Sequence, residues 1–442
     1  MINSFLVQNI GGGAGAATIA GKIESAIAEG RLGPGARLPA VRDLAAELEV
    51  SPATVASAYR TLKQRGLVSA NRRRGTVVAV EPPLRVRGSR PLPPNTRDLA
   101  SGNPDPSLLP PLGPALARLD PEHKLYGGPI KLAQLVELAE ADFAGDGIDG
   151  DIAVVGGALD GIERVLQTQL RAGDRVVVED PSWPRITDLL HALGLQPEPA
   201  HVDERGLVPA ALERALERGA RAVIATPRGQ NPTGAAVDAG RAGLLREVLG
   251  RHPDVLLVED DYVASVAGAP YFELHGASMR WSVIRSLSKV LGPDLRIAPM
   301  AGDSLTISRV EGRQLLGPGW VSHLLQQTAA HLWASAATRK LLACAERAYA
   351  ERRAALIEAL AGHGITAYGA SGLGVWVPVA EEVAIVQQLL ERGWAVSAGE
   401  RYRLHAPPGI RITTTDLEPN EAGELAAALE ATMHDTTATY AG

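Results

Sequence analysis

The chain has 442 residues, with hydrophobic residues at 45%, charged residues at 21% and a formal net charge of −6. This composition excludes a disordered or fibrous chain, and no apolar run reaches the about 18 residues that a membrane helix needs. A single cysteine excludes an internal disulfide, and because no Cys and His residues cluster at ligand spacing, we expect no metal site. The N-terminus has no basic leader, so we expect a cytoplasmic protein with no membrane contact.

The charge is distributed unevenly along the chain. Residues 1–90 have a balance of +7, whereas the remainder has a balance of −13. A basic N-terminal part favours nucleic acid as a partner, and an acidic remainder favours a small molecule.

The first 80 residues predict a winged helix-turn-helix. We expect residues 8–17, rich in Gly and Ala, to be a mobile arm, and a helix to run from Ile19 to a C-cap at Gly30. A second helix covers VRDLAAELEV, and a third opens with Ser51 as its N-cap. Two short β-prone stretches, LVSA and GTVVAV, flank the basic turn NRRR and predict the wing.

A recognition helix needs small or polar residues at its exposed N-terminus to reach base edges, and cations beside it for phosphates. Ser51 and Thr54 meet the first need. The available cations are Arg42, Arg60, Lys63, Arg65, Arg72, Arg73 and Arg74. A helical dimerisation module with a solvated basic face is the alternative, but the wing is a second, independent DNA-facing feature.

The stretch GRLGPGARLPAVRDLAAELEVSPATVASAYRTLKQRGLVSANRRRGTVV resembles the GntR family of winged helix-turn-helix regulators. This resemblance implies that certain residues approach double-stranded DNA, namely Arg42, Ser51, Thr54, Arg74, Gly75 and Thr76. Pro52 and Ala56 stand where many members carry polar or basic residues, so the operator sequence does not follow from the resemblance.

Residues 81–97 are rich in proline and arginine and predict a semi-rigid linker. From residue 98 to 442, short apolar runs alternate with helical stretches, which predicts an α/β domain built on parallel strands. We expect a large part over about 120–310 and a small part over about 311–442. The strand candidates are 175–180, 221–226, 254–260 and 281–286, and the helix candidates are 159–171, 185–194, 208–218 and 238–251.

Each candidate strand is followed by a different polar or aromatic group. These groups are Trp183 in DPSWP, Asn231 in QNPTG, Asp260 with Tyr262 in EDDY, and Lys289 in SLSK. Since ligands bind beyond the carboxyl ends of strands in open α/β sheets, the groups are expected to meet at one rim. Together they suit an aromatic aldehyde, pyridoxal 5′-phosphate (PLP).

Each residue type has a chemical reason to be there. Lys289 can form a Schiff base, and Asp260 can keep the pyridine nitrogen protonated, with Glu259 or Asp261 as the alternatives if the register differs by one. Asn231 and Tyr262 can donate to the ring oxygen, and Trp183 can stack on the ring. The phosphate is expected at the helix start of GGALDGIERVLQ, near Ala158 and Leu159, with Ser286, Ser288 and Arg296 completing the site.

Any one of these residues also has a plain structural interpretation, such as a packed lysine, a turn at Asn231 or a core tryptophan. Their order and spacing, however, resemble fold type I aminotransferases over residues 98–435. The resemblance adds Tyr126, which would reach the phosphate of a neighbouring subunit, and Arg411, which would pair with a substrate carboxylate. Tyr126 as a packed loop residue and Arg411 as a strand-edge charge are the alternatives.

A GntR module joined to an aminotransferase-like domain resembles the MocR subfamily of transcriptional regulators. The resemblance implies a head-to-tail homodimer that regulates transcription in response to PLP, or to an amino compound that forms an aldimine with bound PLP. One alternative is a working aminotransferase that carries a DNA-binding head, and another is a dimerisation scaffold that senses PLP alone. Neither the effector, the target genes nor the sign of regulation follows from the sequence.

Overall fold

The computed structural model describes residues 6–7, 9–33, 35–64, 67–71, 75–78, 91–120 and 122–440. They form two compact units, a small N-terminal head and a larger body that holds most of residues 91–440. Arg65, Arg72, Arg73, Arg74 and linker residues 81–90 lie outside the described residues. Within the described part of the chain, no helix is both long and apolar enough to cross a membrane, and no cluster of three or more His, Cys, Asp or Glu side chains could hold a metal.

The head is a three-helix unit with a two-stranded sheet. Its elements are α1 (Ala16–Ala28), α2 (Val41–Glu47), α3 (Pro52–Gln64), β1 (Val68–Asn71) and β2 (Gly75–Val78). The strands are antiparallel, with Asn71 paired to Gly75. Gly30 has the positive φ of 73° that the predicted end of α1 requires. The Ser51 hydroxyl accepts a hydrogen bond from the Thr54 N–H at 3.2 Å, as expected of an N-cap.

The expectation of a mobile N-terminal arm is wrong for this head. Leu6 has 1% of its surface exposed, and both Leu6 and Ile10 belong to the buried core of the head. The glycines that follow are also held, since the Gly13 N–H donates to the Leu48 carbonyl at 2.8 Å. The error arose because Gly and Ala dominate residues 8–17, so that no helical periodicity appears in them.

The body alternates strands and helices as expected. Its strands are β3 (Arg97–Asp98), β4 (Asp151–Val155), β5 (Arg175–Asp180), β6 (Gln196–Asp203), β7 (Gly206–Leu207), β8 (Ala222–Ala225), β9 (Leu256–Asp261), β10 (Arg280–Arg285), β11 (Ala298–Gly302), β12 (Gly374–Pro378), β13 (Trp394–Ala395), β14 (Ser397–Ala398) and β15 (Gly409–Thr413).

The helices of the body are α4 (Gly113–Leu116), α5 (Ala133–Gly145), α6 (Ala158–Gln169), α7 (Pro184–Ala192), α8 (Pro209–Glu217), α9 (Ala239–Gly250), α10 (Ser304–Leu315), α11 (His323–Ala334), α12 (Ala336–Gly362), α13 (Glu382–Glu391) and α14 (Pro419–Tyr440). Short 3₁₀ turns lie at Pro106–Leu108, Ala264–Val266, His275–Ala277, Pro293–Leu295 and Gly399–Arg401.

An eight-stranded sheet forms the centre of the body, in the order β4-β11-β10-β9-β8-β5-β6-β7. Strands β5, β8, β9 and β10 are parallel, as the apolar runs predict. The sheet is nevertheless mixed, because β11 runs antiparallel to both β10 and β4. The sequence APMAG of β11 combines proline and glycine, which strands usually avoid, so its pattern did not predict a strand. The last part of the chain builds a smaller sheet, β12-β15-β14, whose buried residues pack against α12, α13 and α14.

Candidate functional site

A cavity of about 420 Å³ opens at the carboxyl ends of the central parallel strands. It is lined by residues from β5, β8, β9, the loop after β10 and the strand β15. The predicted site residues that line it are Ala158, Leu159, Trp183, Asn231, Asp260, Tyr262, Ser286, Ser288, Lys289, Arg296 and Arg411. The fold thus brings together eleven side chains and backbone groups that are up to about 250 residues apart in sequence.

Lys289 lies half-buried in the loop after β10, and its Nζ donates a hydrogen bond to the Gly102 carbonyl. Burial, with the positive charge of Arg411 as the second cause, lowers the pKa of Lys289 to about 8. Because the neutral amine is the nucleophile, the surroundings make Lys289 more reactive near neutral pH than an ordinary lysine.

Three consecutive acids end β9, and only the middle one faces the cavity. Asp260 lines the cavity, and burial raises its pKa to about 7, helped by the charges of Asp261 and Glu179. Glu259 points away from the cavity and accepts hydrogen bonds from Tyr271 and His275, at 2.7 and 3.0 Å. Asp261 is also turned away and is paired with Arg228 and Arg285. The structure therefore places Asp260 at the cavity rather than either alternative.

Donors and an aromatic face surround the same space. The Tyr262 hydroxyl donates to the Gly229 carbonyl at 2.7 Å, and burial raises the pKa of Tyr262 so that the phenol keeps its proton. Asn231 accepts a hydrogen bond from Arg411 through Oδ1 at 3.3 Å, which leaves its amide N–H groups as donors. Trp183 is half-buried and precedes the first turn of α7.

One end of the cavity suits an anion. Helix α6 begins at Ala158, directly after Gly157, which has a φ of 109°. The first N–H groups of a helix have no partner within it, so Ala158 and Leu159 offer backbone donors. A Cβ atom on Gly157 would lie 2.5 Å from Nη2 of Arg296, so only glycine allows the guanidinium to lie this close to the helix start. Ser286 and Ser288 lie in the loop after β10 and line the same cavity, and the Ser288 N–H donates to the Ser286 hydroxyl at 3.2 Å.

Arg411, on β15, enters the cavity from the smaller sheet. Its Nη2 donates to the Ala100 carbonyl and, at 3.2 Å, to the Thr413 hydroxyl. Its guanidinium carbon lies 5.3 Å from the centre of the Tyr402 ring. Nε is buried and has no hydrogen-bond partner among the described residues, so Arg411 retains donor capacity.

Several lining residues escaped the sequence analysis, among them three with large polar side chains. Glu179, Gln230 and Tyr402 all line the cavity, and burial raises the pKa of Glu179 to about 7. Glu179 is the second-to-last residue of a predicted strand, and Gln230 lies four residues after the end of another. A rule that included the last two residues of each strand would have found Glu179.

Tyr126 does not line the cavity of its own chain. Its surface is 93% exposed, and its ring makes an edge contact with Trp320 at 5.4 Å between centroids. The exposure leaves it available to another molecule.

In the head, the predicted DNA-contacting residues lie at the surface. Arg42, Ser51, Arg60 and Gly75 are exposed, and Thr54 and Thr76 are half-buried. The hydroxyls of Ser51 and Thr54 lie 2.9 Å apart and share a hydrogen bond. Arg37 is a further exposed cation that we did not predict. Its Nε lies 3.4 Å from the position that a Cβ on Gly75 would take, so its guanidinium lies beside the start of β2.

Two family models match the chain, one for each unit. Residues 16–78 match the family described as bacterial regulatory proteins, gntR family, and residues 95–429 match aminotransferase class I and II. The vitamin B6 salvage pathway transcriptional repressor PtsJ of Salmonella typhimurium is 40% identical over 396 residues, which cover 88% of this chain and 92% of PtsJ. The chain belongs to the MocR subfamily of GntR regulators. It is a DNA-binding transcriptional regulator.

A further relative agrees with this assignment, and a solved structure agrees with the fold of the body. The pyridoxine biosynthesis transcriptional regulator PdxR of Corynebacterium glutamicum is 29% identical, with 77% of each chain covered. Among solved structures, kynurenine aminotransferase of Pyrococcus horikoshii shares 22% identity and a TM-score of 0.70, covering 76% of this MocR regulator and 90% of the enzyme. At that identity the enzyme shows the fold of the body alone.

We expect Arg37→Ala to weaken DNA binding about 3- to 10-fold and to reduce the slope of log affinity against log salt by about 1, because one phosphate contact is lost. Fluorescence anisotropy of an operator fragment at several salt concentrations measures both quantities. Lys22→Ala, which removes an exposed cation of α1, is the matched control. An equal loss in both variants would contradict a specific role for Arg37.

We expect the amine of Lys289 to become reactive as the pH rises through about 8, since it is protonated below that pH and neutral above it. Arg411→Gln removes the neighbouring positive charge and should move the midpoint to higher pH. The rate at which an amine-directed reagent labels Lys289 is measured by mass spectrometry across the pH range, with the exposed Lys340 as the internal reference. An unchanged midpoint in Arg411→Gln would contradict the electrostatic coupling.

Proposed function

We propose that this regulator binds PLP in the 420 Å³ cavity and that its affinity for DNA depends on PLP, or on an amino compound captured by it. The observation that carries the proposal is Oδ1 of Asp260. It is buried and has no hydrogen-bond partner among the described residues, although a buried carboxylate oxygen normally has one. A protonated pyridine nitrogen supplies the missing donor.

The other residues of the cavity fit the same cofactor. Lys289 would hold the aldehyde carbon, Tyr262 and Asn231 would donate to the ring oxygen, and Trp183 would cover the ring face. The start of α6 at Ala158 and Leu159, with Ser286, Ser288 and Arg296, would hold the phosphate. When bound, PLP supplies an aldehyde that captures amines reversibly and a ring that withdraws electrons from them.

Arg411 supports a carboxylate as one group of the effector. Its unpartnered Nε and its position beside Lys289 would bring a carboxylate within reach of the captured amine. The names of PtsJ and PdxR both refer to vitamin B6 metabolism, which supports PLP itself as the effector. An amino acid that binds to PLP remains the second candidate, because of Arg411.

Two contacts suggest how the cavity could affect the head. Lys289 donates to the carbonyl of Gly102, and Arg411 donates to that of Ala100. A ligand that engages either cation competes with these contacts, and residues 100–102 begin three residues after the end of the proposed linker, residues 81–97. The proposed domains are residues 1–80 and 98–442, joined by the linker. The segment at which the linker joins the body would change its contacts when a ligand binds.

A homodimer is the proposed working form, arranged head to tail. The body exposes a group of apolar side chains, the apolar rim, formed by Leu125, Tyr126, Leu315, Leu316 and Leu324. Large exposed apolar side chains are typical of protein interfaces, and a second copy would allow Tyr126 to reach its partner's phosphate site. Two heads would then match two half-sites of an operator.

Operator affinity measured by fluorescence anisotropy at fixed salt should differ, or the stoichiometry should differ, between PLP-free and PLP-loaded protein. Lys289→Ala should abolish the difference, because the amine that holds the aldehyde is lost. Lys340→Ala, at an exposed lysine of α12, is the matched control and should respond as the wild type does. Identical binding of both wild-type forms would contradict PLP as the switch and leave an amino compound as the effector to be screened.

An active aminotransferase that also carries a DNA-binding head is the alternative function, favoured by the complete set of Lys289, Asp260, Tyr262 and Arg411 in one cavity. Turnover of an amino acid with a 2-oxo acid on the order of 10 s⁻¹, the median of metabolic enzymes, would support it. Turnover slower by several orders of magnitude supports a purely regulatory role.

Leu316→Asp should convert the dimer to a monomer, since it places a charge in the proposed interface at a side chain that is 84% exposed in the single chain. Val383→Asp is the matched control, because Val383 is 65% exposed but lies on α13, outside the apolar rim. Analytical ultracentrifugation gives the mass of each variant. A dimer that survives in Leu316→Asp would mean that another surface forms it.

A further inference from the structure

Gln230 belongs to the loop after β8, directly before Asn231, and is almost fully buried, with 1% of its surface exposed. Its Nε2 donates to the Pro181 carbonyl at 2.7 Å and to Oε2 of Glu179 at 3.0 Å. Its Oε1 accepts from the N–H and the hydroxyl of Thr233, at 3.0 and 2.6 Å. Both amide hydrogens and both lone pairs are therefore used, so the side chain has only one satisfactory orientation.

The bonds donated by Nε2 join the two sides of the site, and the bonds to Thr233 fix the shape of the loop that carries Gln230. Pro181 is two residues before Trp183, which lines one side of the cavity. Thr233 is two residues after Asn231, which lines another side and contacts Arg411. A single buried amide thus fixes the distance between the loop that carries the aromatic face and the loop that carries the ring-oxygen donor.

Glu179 holds Gln230 in this orientation. One carboxylate oxygen of Glu179 accepts from Gln230, and the other accepts from the Thr226 N–H at 2.9 Å. Thr226 directly follows β8 and Glu179 lies within β5, so the amide is tied to two adjacent strands of the sheet. The hydrogen bonds through Glu179 therefore anchor Gln230 to the central sheet of the body rather than to another loop.

We propose that Gln230 is a positioning residue of the PLP site, which holds the Trp183 loop and the Asn231 loop at the separation that the cofactor ring requires. This inference rests on the proposed function, since it presumes PLP in the cavity. Gln230 acts through its neighbours, because protein groups occupy its whole hydrogen-bonding capacity.

Gln230→Glu is the sharpest test. The carboxylate keeps the size of the side chain and its acceptor bonds to Thr233, but it cannot donate to Pro181 and it places a second negative charge beside Glu179. Loss of two buried hydrogen bonds should raise the Kd for PLP at least about tenfold. The quenching of Trp183 fluorescence by PLP, isolated by comparison with Trp183→Phe, should fall, and the absorption band of the bound cofactor should shift.

Thr233→Val provides a second variant in case Gln230→Glu does not fold. It removes the 2.6 Å hydroxyl bond to Gln230 and the 3.3 Å bond that the hydroxyl accepts from the Ala235 N–H, and it should change the same three quantities by a smaller amount. Gln169→Glu is the matched control, because Gln169 is a half-buried glutamine that donates to Thr306 and does not line the cavity. It should leave the Kd and the spectrum as in the wild type.

The outcomes separate the two proposals. Failure of the wild-type protein to bind PLP in a titration followed by absorbance would overturn the proposed function and this inference together. If the wild type binds PLP while Gln230→Glu and Thr233→Val match it in Kd, quenching and absorption band, the inference alone is wrong and Gln230 serves only the stability of the body. Weaker binding and a shifted band in both variants, with Gln169→Glu unchanged, support the positioning role.

Discussion

The last three residues of β9 are acids with buried carboxyl groups, and each needs a partner that offsets the free-energy cost of burial. The choice of these partners determines the chemistry of the body. Alternation along the strand turns Glu259 and Asp261 to one face and Asp260 to the other. Asp261 keeps its charge because Arg228 and Arg285 lower its pKa against the effect of burial. Those cations are engaged on the far face, and Oδ1 of Asp260 has no hydrogen-bond partner in the part of the chain that the structure describes, so we expect it to be available to a ligand. A shift of register by one residue would exchange these environments and remove the acceptor from the cavity.

The ion pairs behind the sheet explain why this arrangement can persist. Arg285 contacts Asp142 and Asp146, each at 2.6 Å, as well as Asp261, and its guanidinium lies 4.7 Å from the centre of the Phe143 ring. Removal of one partner from a buried pair leaves an uncompensated charge, which costs about 3–5 kcal/mol. The network therefore fixes β9 and β10 against α5. Asp260 and the loop that carries Lys289 inherit their positions from these two strands.

Much of the site could be read from the sequence, because parallel strands buried on both faces give continuous apolar runs and the residue after each run must lie at the same edge. That argument placed Asn231, Asp260 and Lys289 in one cavity. It failed where a strand has no apolar run, as in β11, and where a key residue lies inside the run, as with Glu179. The role of Gln230 depends on hydrogen bonds between loops that are about 50 residues apart, which no local pattern records. Leu6 and Arg37 were missed because their importance comes from tertiary neighbours in the head.

Nothing in the cavity distinguishes a catalyst from a sensor, since both need a held aldehyde, a protonated ring and a site for the phosphate. A sensor differs from a catalyst in that its ligand-binding energy shifts a conformational equilibrium. A ligand shifts a conformational equilibrium only as far as it binds the two states with different affinity. Asp260 is held by the central sheet, so we expect it to contribute affinity without a signal. The contacts of Lys289 and Arg411 with the carbonyls of Gly102 and Ala100 are different, because they are made with the segment that follows the linker. We propose that a ligand competes for those two cations and so favours a state in which that segment has moved away, and this difference in affinity would couple ligand binding to DNA binding.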